Sequence, residues 1–141
     1  MVIAIGCYHH TGDLALAMAN TARLLRTNGR AVLMIYNAGN YVRMAVDPIG
    51  TLGHLNRGGI ESAHEKIRGR YDKNAGGEAA PETVLVFRRT FRNMLLKHFR
   101  TASVSIENAI GYWPFHFVPR ALMCATVGKI AGFDLYAVAT K

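Results

Sequence analysis

Six histidines (His9, His10, His54, His64, His98, His116) and two cysteines (Cys7, Cys124) are the side chains best suited to proton transfer, metal binding or nucleophilic attack. Their spacing excludes most of that chemistry. There is no His-Glu-x-x-His run and no Cys-x-x-Cys pair, and adjacent His9 and His10 cannot both face one metal from an extended backbone. No metal is expected. No Gly-x-Ser-x-Gly elbow occurs, and nothing in the spacing gives Cys7 an activating base. What remains is His9 as a general base, since an imidazole with a pKa of about 6.5 can take a proton from an oxygen or nitrogen acceptor. Taken alone, either histidine of the pair also reads as structural, and His10 is expected to turn away and bond to the scaffold.

The elements that would position His9 are legible around it. Val2-Ile3-Ala4-Ile5 is a short β-branched run, the pattern of a parallel strand buried on both faces. Thr11 or Asp13 can cap a helix whose buried-face positions Leu14, Ala17, Met18, Thr21, Leu24 and Leu25 recur at three-and-four spacing, and Asn28-Gly29 should stop it. Ala31 to Tyr36 then reads as a second buried strand. Strand, helix and strand make a βαβ unit, right-handed by rule. In an open α/β sheet ligands bind beyond the carboxyl ends of the strands, which places function at Gly6 to Asp13 and at Tyr36 to Asn40.

From Asn37 to Glu82 eight glycines break every apolar run; the stretch 37–82 reads as a long Gly-rich connection or lid, with one amphipathic helix over Ile60 to Tyr71. Phe87, Phe91, Met94, Leu95 and Phe99 mark the apolar face of a further helix, with Arg88, Arg89, Arg92, Lys97 and Arg100 on its wet side. A strand is expected at Ala102 to Asn108, then a loop through Trp113-Pro114 and Pro119, then a last strand at Phe133 to Thr140. The two main helices cover only part of the sheet, leaving a flank bare.

With 141 residues, half of them hydrophobic, the chain suffices for a single domain with a core. Lys and Arg number 17 against nine Asp and Glu, a net charge of +8, which favours encounter with anions: nucleic acid, acidic metabolites or anionic surfaces. The two cysteines are too few for a disulfide framework. No basic stretch precedes the apolar start as in a secretory signal, and the most apolar long window, Ala121 to Thr140, is interrupted by Lys129 and Asp134. A cytoplasmic protein without a membrane span is expected.

The run IGCYHHTGD, the helix ending ARLLRTNGR, the strand VLMIYN, the loop YDKNAGGEAAPET and the terminal GFDLYAVATK together resemble the carboxy-terminal half of class I S-adenosylmethionine-dependent methyltransferases of the type 11-like kind. The resemblance spans essentially the whole chain. It implies a partial Rossmann-like methyltransferase sheet whose strands correspond to 4, 5, 7 and 6, the last two antiparallel, within a single truncated domain over residues 1–141 that lacks the first three strands. It further implies S-adenosylmethionine as cofactor, methyl transfer to an acceptor, the backbone of Gly6 and Cys7 against the methionine part of the cofactor, Tyr8 and His9 looking into the site beside the methyl group or adenine ring, and His9 as candidate base. Tyr36 and Asn37 would contact the acceptor, a small molecule by first expectation, and Asp72 and Asn74 would belong to a lid. Each has a plainer reading: strand-closing glycine, core tyrosine, turn asparagine, solvated loop.

One departure stands out. The family's Gly-x-Gly-x-Gly cofactor loop and the acidic residue that holds the ribose are absent from this sequence. A truncated reading frame or fragment is the simplest account, with a missing amino-terminal half in a companion chain as the alternative; either leaves Val2 to Ile5 as a bare edge prone to self-association. The rival reading is a non-catalytic basic module that binds nucleic acid through Arg88, Arg89, Arg92, Lys97 and Arg100. A continuous basic patch beside the His9 loop would argue for a nucleic-acid acceptor, and a scattered distribution for a small one.

Overall fold

Strand Val2–Ile5 (β1) starts the chain where the β-branched run predicts a strand, but it is not buried on both faces as expected, since it is a sheet edge with Ile3 and Ile5 exposed. It ends at Gly6, whose φ of +72° suits a residue without a side chain. A single 3-10 turn, Tyr8–His10, leads to helix α1 (Leu14–Leu24), capped by the Asp13 carboxylate, which accepts the Leu16 N–H at 2.8 Å. The helix stops four residues before Asn28, where Leu25 turns extended; Asn28 itself takes the left-handed conformation, φ +60°. Strand β2 (Arg30–Tyr36) follows and pairs parallel with β1. The computed structural model describes residues 1–56, 58–62, 77–78, 82–111 and 116–141.

Helices α2 (Tyr41–Val46) and α3 (Pro48–Asn56) then fill the start of the stretch expected to be an unpatterned connection. Side chains hold them: Asn40 accepts the Arg43 N–H at 3.1 Å, and Asp47 accepts the Gly50 N–H at 2.9 Å. Ile60–Ser62 (β3) is a strand rather than the start of a helix, paired antiparallel with β4 (Val84–Val86). Gly58 and Gly59, at φ +101° and +72°, turn the chain out of the helix before it. The rest of the expected helix, and Asp72 and Asn74, lie outside the described residues.

Helix α4 (Arg88–Leu96), strand β5 (Thr101–Glu107), two short helices α5 (Arg120–Ala125) and α6 (Val127–Ala131), and strand β6 (Asp134–Thr140) complete the chain. The sheet order is β1-β2-β6-β5, with β6 antiparallel to both neighbours. Register sorts its two faces. Leu33, Ala137 and Val104 share one row and Ile35, Leu135 and Ile106 the next; this face packs under Leu14, Met18 and Ala22 of α1 and Phe91 and Leu95 of α4 to form the core. A row of alanines, Ala31, Ala139 and Ala102, leaves room for the helices to approach closely. The opposite face carries Ile3, Val32, Val138 and Ser103 in one row and Ile5, Met34, Tyr136 and Ser105 in the other, with Ile3 61% and Val138 48% exposed. Both core helices thus lie on the same side. Among the described residues no helix is long and apolar enough to cross a membrane.

Candidate functional site

The carboxyl ends of β1 and β2 bring together the two loops that the sequence singles out, Gly6 to Gly12 and Tyr36 to Asn40. Gly6 donates its N–H to the Met34 carbonyl at 3.3 Å, and a Cβ built on it would meet nothing nearer than Met34 Cε at 3.9 Å. Backbone here is open to close approach. Cys7 beside it is a free, exposed thiol. Tyr8 is arranged differently from the expectation that it looks into the site: its hydroxyl hydrogen-bonds the Thr21 hydroxyl on α1 and its ring leans on the core. The 3-10 turn rolls the ring toward α1.

His9 is fully buried, its ring centroid 4.0 Å from that of Tyr36 and 4.1 Å from that of His10. A candidate base that was expected to face the site instead sits beneath two aromatic neighbours. The cause is again the turn, whose three residues per turn point Tyr8, His9 and His10 in three different directions: His10 reaches the segment before β4, where its Nδ1 donates to the Glu82 carbonyl at 2.7 Å and lies 3.3 Å from Thr83 Oγ1. His10 therefore bonds to the scaffold as expected. Glu82 closes over the same loop from the other side, so that a Cβ on Gly12, at φ +76°, would come within 2.8 Å of its carboxylate.

Asn37, expected to hydrogen-bond an acceptor, is 2% exposed and is tied into the fold instead. Its Nδ2 donates to the Gly132 carbonyl at 2.8 Å, its Oδ1 accepts the Gly39 N–H at 3.0 Å, and its own N–H donates to the Phe133 carbonyl at 2.7 Å. The β2 end must join both the turn before β6 and the loop toward α2, and this amide makes both junctions. Asn40, which sequence reasoning did not single out, is equally buried and extends the junction, donating to the Asn37 carbonyl at 2.9 Å. Its signal was present: an asparagine just before a run that can be helical is an N-cap. Tyr36 remains half-buried over His9, and Tyr41 crosses to bond the Ile110 carbonyl and meets the Phe133 ring edge-on at 5.2 Å.

The structure thus brings Gly6, Cys7, Tyr36 and the buried His9 to one end of the sheet, and turns Tyr8 and Asn37 to structural work. Among the described residues no three His, Cys, Asp or Glu side chains are grouped to hold a metal ion. Comparison with known proteins finds no matching family model and no matching curated protein.

Proposed function

We propose that this chain carries part of the catalytic sheet of an S-adenosylmethionine-dependent methyltransferase acting on a small-molecule acceptor. The observation that supports it is the sheet order, β1-β2-β6-β5 with the last strand antiparallel between its neighbours, which is the order the sequence resemblance implies for strands 4, 5, 7 and 6. A four-stranded mixed sheet with flanking helices is shared by other folds, so the reading also leans on the IGCYHHTGD run at the end of β1.

The residues present suit one end of such a cofactor. Gly6 and Cys7 offer open backbone at a strand end, whereas the sequence supplies neither a glycine-rich loop nor the acidic residue that would hold the ribose. When bound, the cofactor supplies a methyl group on a sulfonium, already activated for displacement. The chain's own contribution is then positional: Gly6 and Cys7 form one wall, and the Tyr36 ring gives a face on which an acceptor can lie in line. His9 contributes as a base only where Tyr36 and His10 part to admit the acceptor. Arg30, Arg92 and Arg100 gather at the other end of the strands and not beside the His9 loop, so they give no support to a nucleic-acid acceptor at this site.

Calorimetric titration of S-adenosylmethionine, with S-adenosylhomocysteine in parallel, into the folded chain tests the proposal. Saturable binding of both ligands supports it; Gly6→Val, which crowds the open backbone and is also strained at φ +72°, is expected to weaken that binding and is compared only where circular dichroism shows the variant folded. Absence of binding by a chain shown to be folded overturns it for this polypeptide.

A further inference from the structure

At the end of the sheet opposite the His9 loop, about 20 Å away along the seven residues of β2, lies an open cleft of about 510 Å³. Three guanidinium groups and three hydroxyls line it: Arg30, Arg92 and Arg100 with Thr101, Ser103 and Thr140. No carboxylate is among its lining residues. Leu96 and Val138, 38% and 48% exposed, add an apolar floor.

Two of the three arginines, Arg92 and Arg100, are held in place by neutral partners. Arg92 donates its Nε–H to the Ala102 carbonyl at 3.3 Å, which anchors the stem through Nε and not through the terminal nitrogens. Arg100 donates one terminal N–H to the Asn28 side-chain oxygen at 3.2 Å. Both partners are neutral, so the charge persists, and three cations around one cleft repel each other until an anion enters. Guanidinium forks match the oxygens of a phosphate in pairs, and hydroxyls supply further donors.

One more arginine extends the site into a row. Arg88 donates Nε–H to the Val104 carbonyl at 2.9 Å, two residues along β5 from the carbonyl that Arg92 holds. That separation is about 6.8 Å along an antiparallel strand, comparable to the step between successive phosphates of an extended nucleic-acid strand. A row of charges at this repeat suits a chain of phosphates better than one isolated phosphate. We propose that the β5 edge and the adjoining cleft bind the phosphodiester backbone of a single-stranded nucleic acid, with Arg88, Arg92, Arg100 and Arg30 on successive phosphates. This inference is independent of methyl transfer, because it uses the other end of the sheet and no residue of the His9 loop.

The test is fluorescence anisotropy of a labelled twelve-nucleotide oligothymidylate against the whole chain across a salt series. Exposed Arg30 and Arg100 are changed together to Gln, and exposed Arg23 on α1 to Gln as a control of equal chemistry outside the cleft. The double variant is expected to bind at least tenfold more weakly at 50 mM salt, and its slope of log affinity on log salt to fall by about 0.7 per lost phosphate contact. Arg23→Gln is expected to leave that slope unchanged. Three results would each overturn the proposal: no binding at low salt, equal losses in the double variant and the control, or inorganic phosphate displacing the oligonucleotide as effectively as an unlabelled strand does. Circular dichroism of each variant confirms that the fold is retained, and a double variant that fails to fold is replaced by Arg30→Gln alone, judged against the same control.

Discussion

Strands β1 and β5 are the two edges of one sheet, yet only β5 has its outward carbonyls occupied. Arg88 and Arg92, one turn apart on α4, reach over the edge to the carbonyls of Val104 and Ala102. On β1 the Gly6 N–H points to Met34 of β2, and because backbone groups alternate along a strand, Ile3 and Ile5 turn theirs outward. Among the described residues no strand pairs with that side. The isoleucine side chains are also 61% and 46% exposed. An edge crowded by long charged side chains resists further pairing, while an apolar edge with open N–H and C=O groups invites it. A helix packed beside a strand can thus protect an edge from a distance, and the same side chains then serve as a charged row.

The largest way to break the contrast is to detach α4. Phe91 is fully buried in the core, so Phe91→Ala is expected to cost about 3–5 kcal/mol, read as a lower urea midpoint. The protection of β5 should fail with it. If the loss stays under about 1 kcal/mol, α4 is not what holds that edge. A smaller change keeps the helix and removes only the clamps. Arg88→Ala with Arg92→Ala is expected to cost about 1 kcal/mol for the pair, because the freed carbonyls regain water, but to increase concentration-dependent association in sedimentation. Association no greater than that of the unmodified chain would show that the arginines do not guard the edge.

The complementary change is at β1. Ile3→Lys puts a charge on the bare edge, the device by which natural edge strands avoid pairing. Stability should change by no more than about 0.5 kcal/mol at so exposed a position, and any self-association of the unmodified chain should fall. Unchanged association would move the contact away from Val2–Ile5.

How much of this was legible beforehand follows from where the determining contacts lie in the chain. β1, β2, β5, β6, α1 and α4 are visible as runs or as three-and-four spacing, because each buries a continuous face under its own pattern. Their order in the sheet is not in any periodicity; it came from the resemblance alone. α2 and α3 were hidden by Gly50 and Gly53, and they persist because the Asn40 and Asp47 side chains close their first turns. α5 and α6 are six and five residues long, too short for an amphipathic period to register. At the strand ends the two loops lie together and His10 bonds to the scaffold as the sequence suggests, but Tyr8, His9 and Asn37 turn elsewhere than expected. Whether His9 or His10 faces inward depends on a 3-10 turn fixed by Thr21, Glu82 and Tyr36, which are 12, 73 and 27 residues from His9 in sequence. No local spacing encodes that choice.

The smallest effect lies on the row Ile5, Met34, Tyr136 and Ser105, which crosses the open face from the bare edge to the guarded one. Burial, and secondarily the carboxylates of Asp134 and Glu107, hold the Tyr136 hydroxyl above the ordinary tyrosine pKa. The folded chain therefore keeps this proton more tightly than the unfolded one. Below pH of about 10 both states are protonated and the contribution to stability is complete; it is lost as pH rises through the folded value, where the unfolded state has already released its proton. Urea midpoints measured from pH 8 to 11 should fall more steeply for the unmodified chain than for Tyr136→Phe, which has no proton to lose. Parallel slopes would mean that this row is as open to water in the middle of the sheet as it is at Ile3, and the face would then be uniformly wet from one edge to the other.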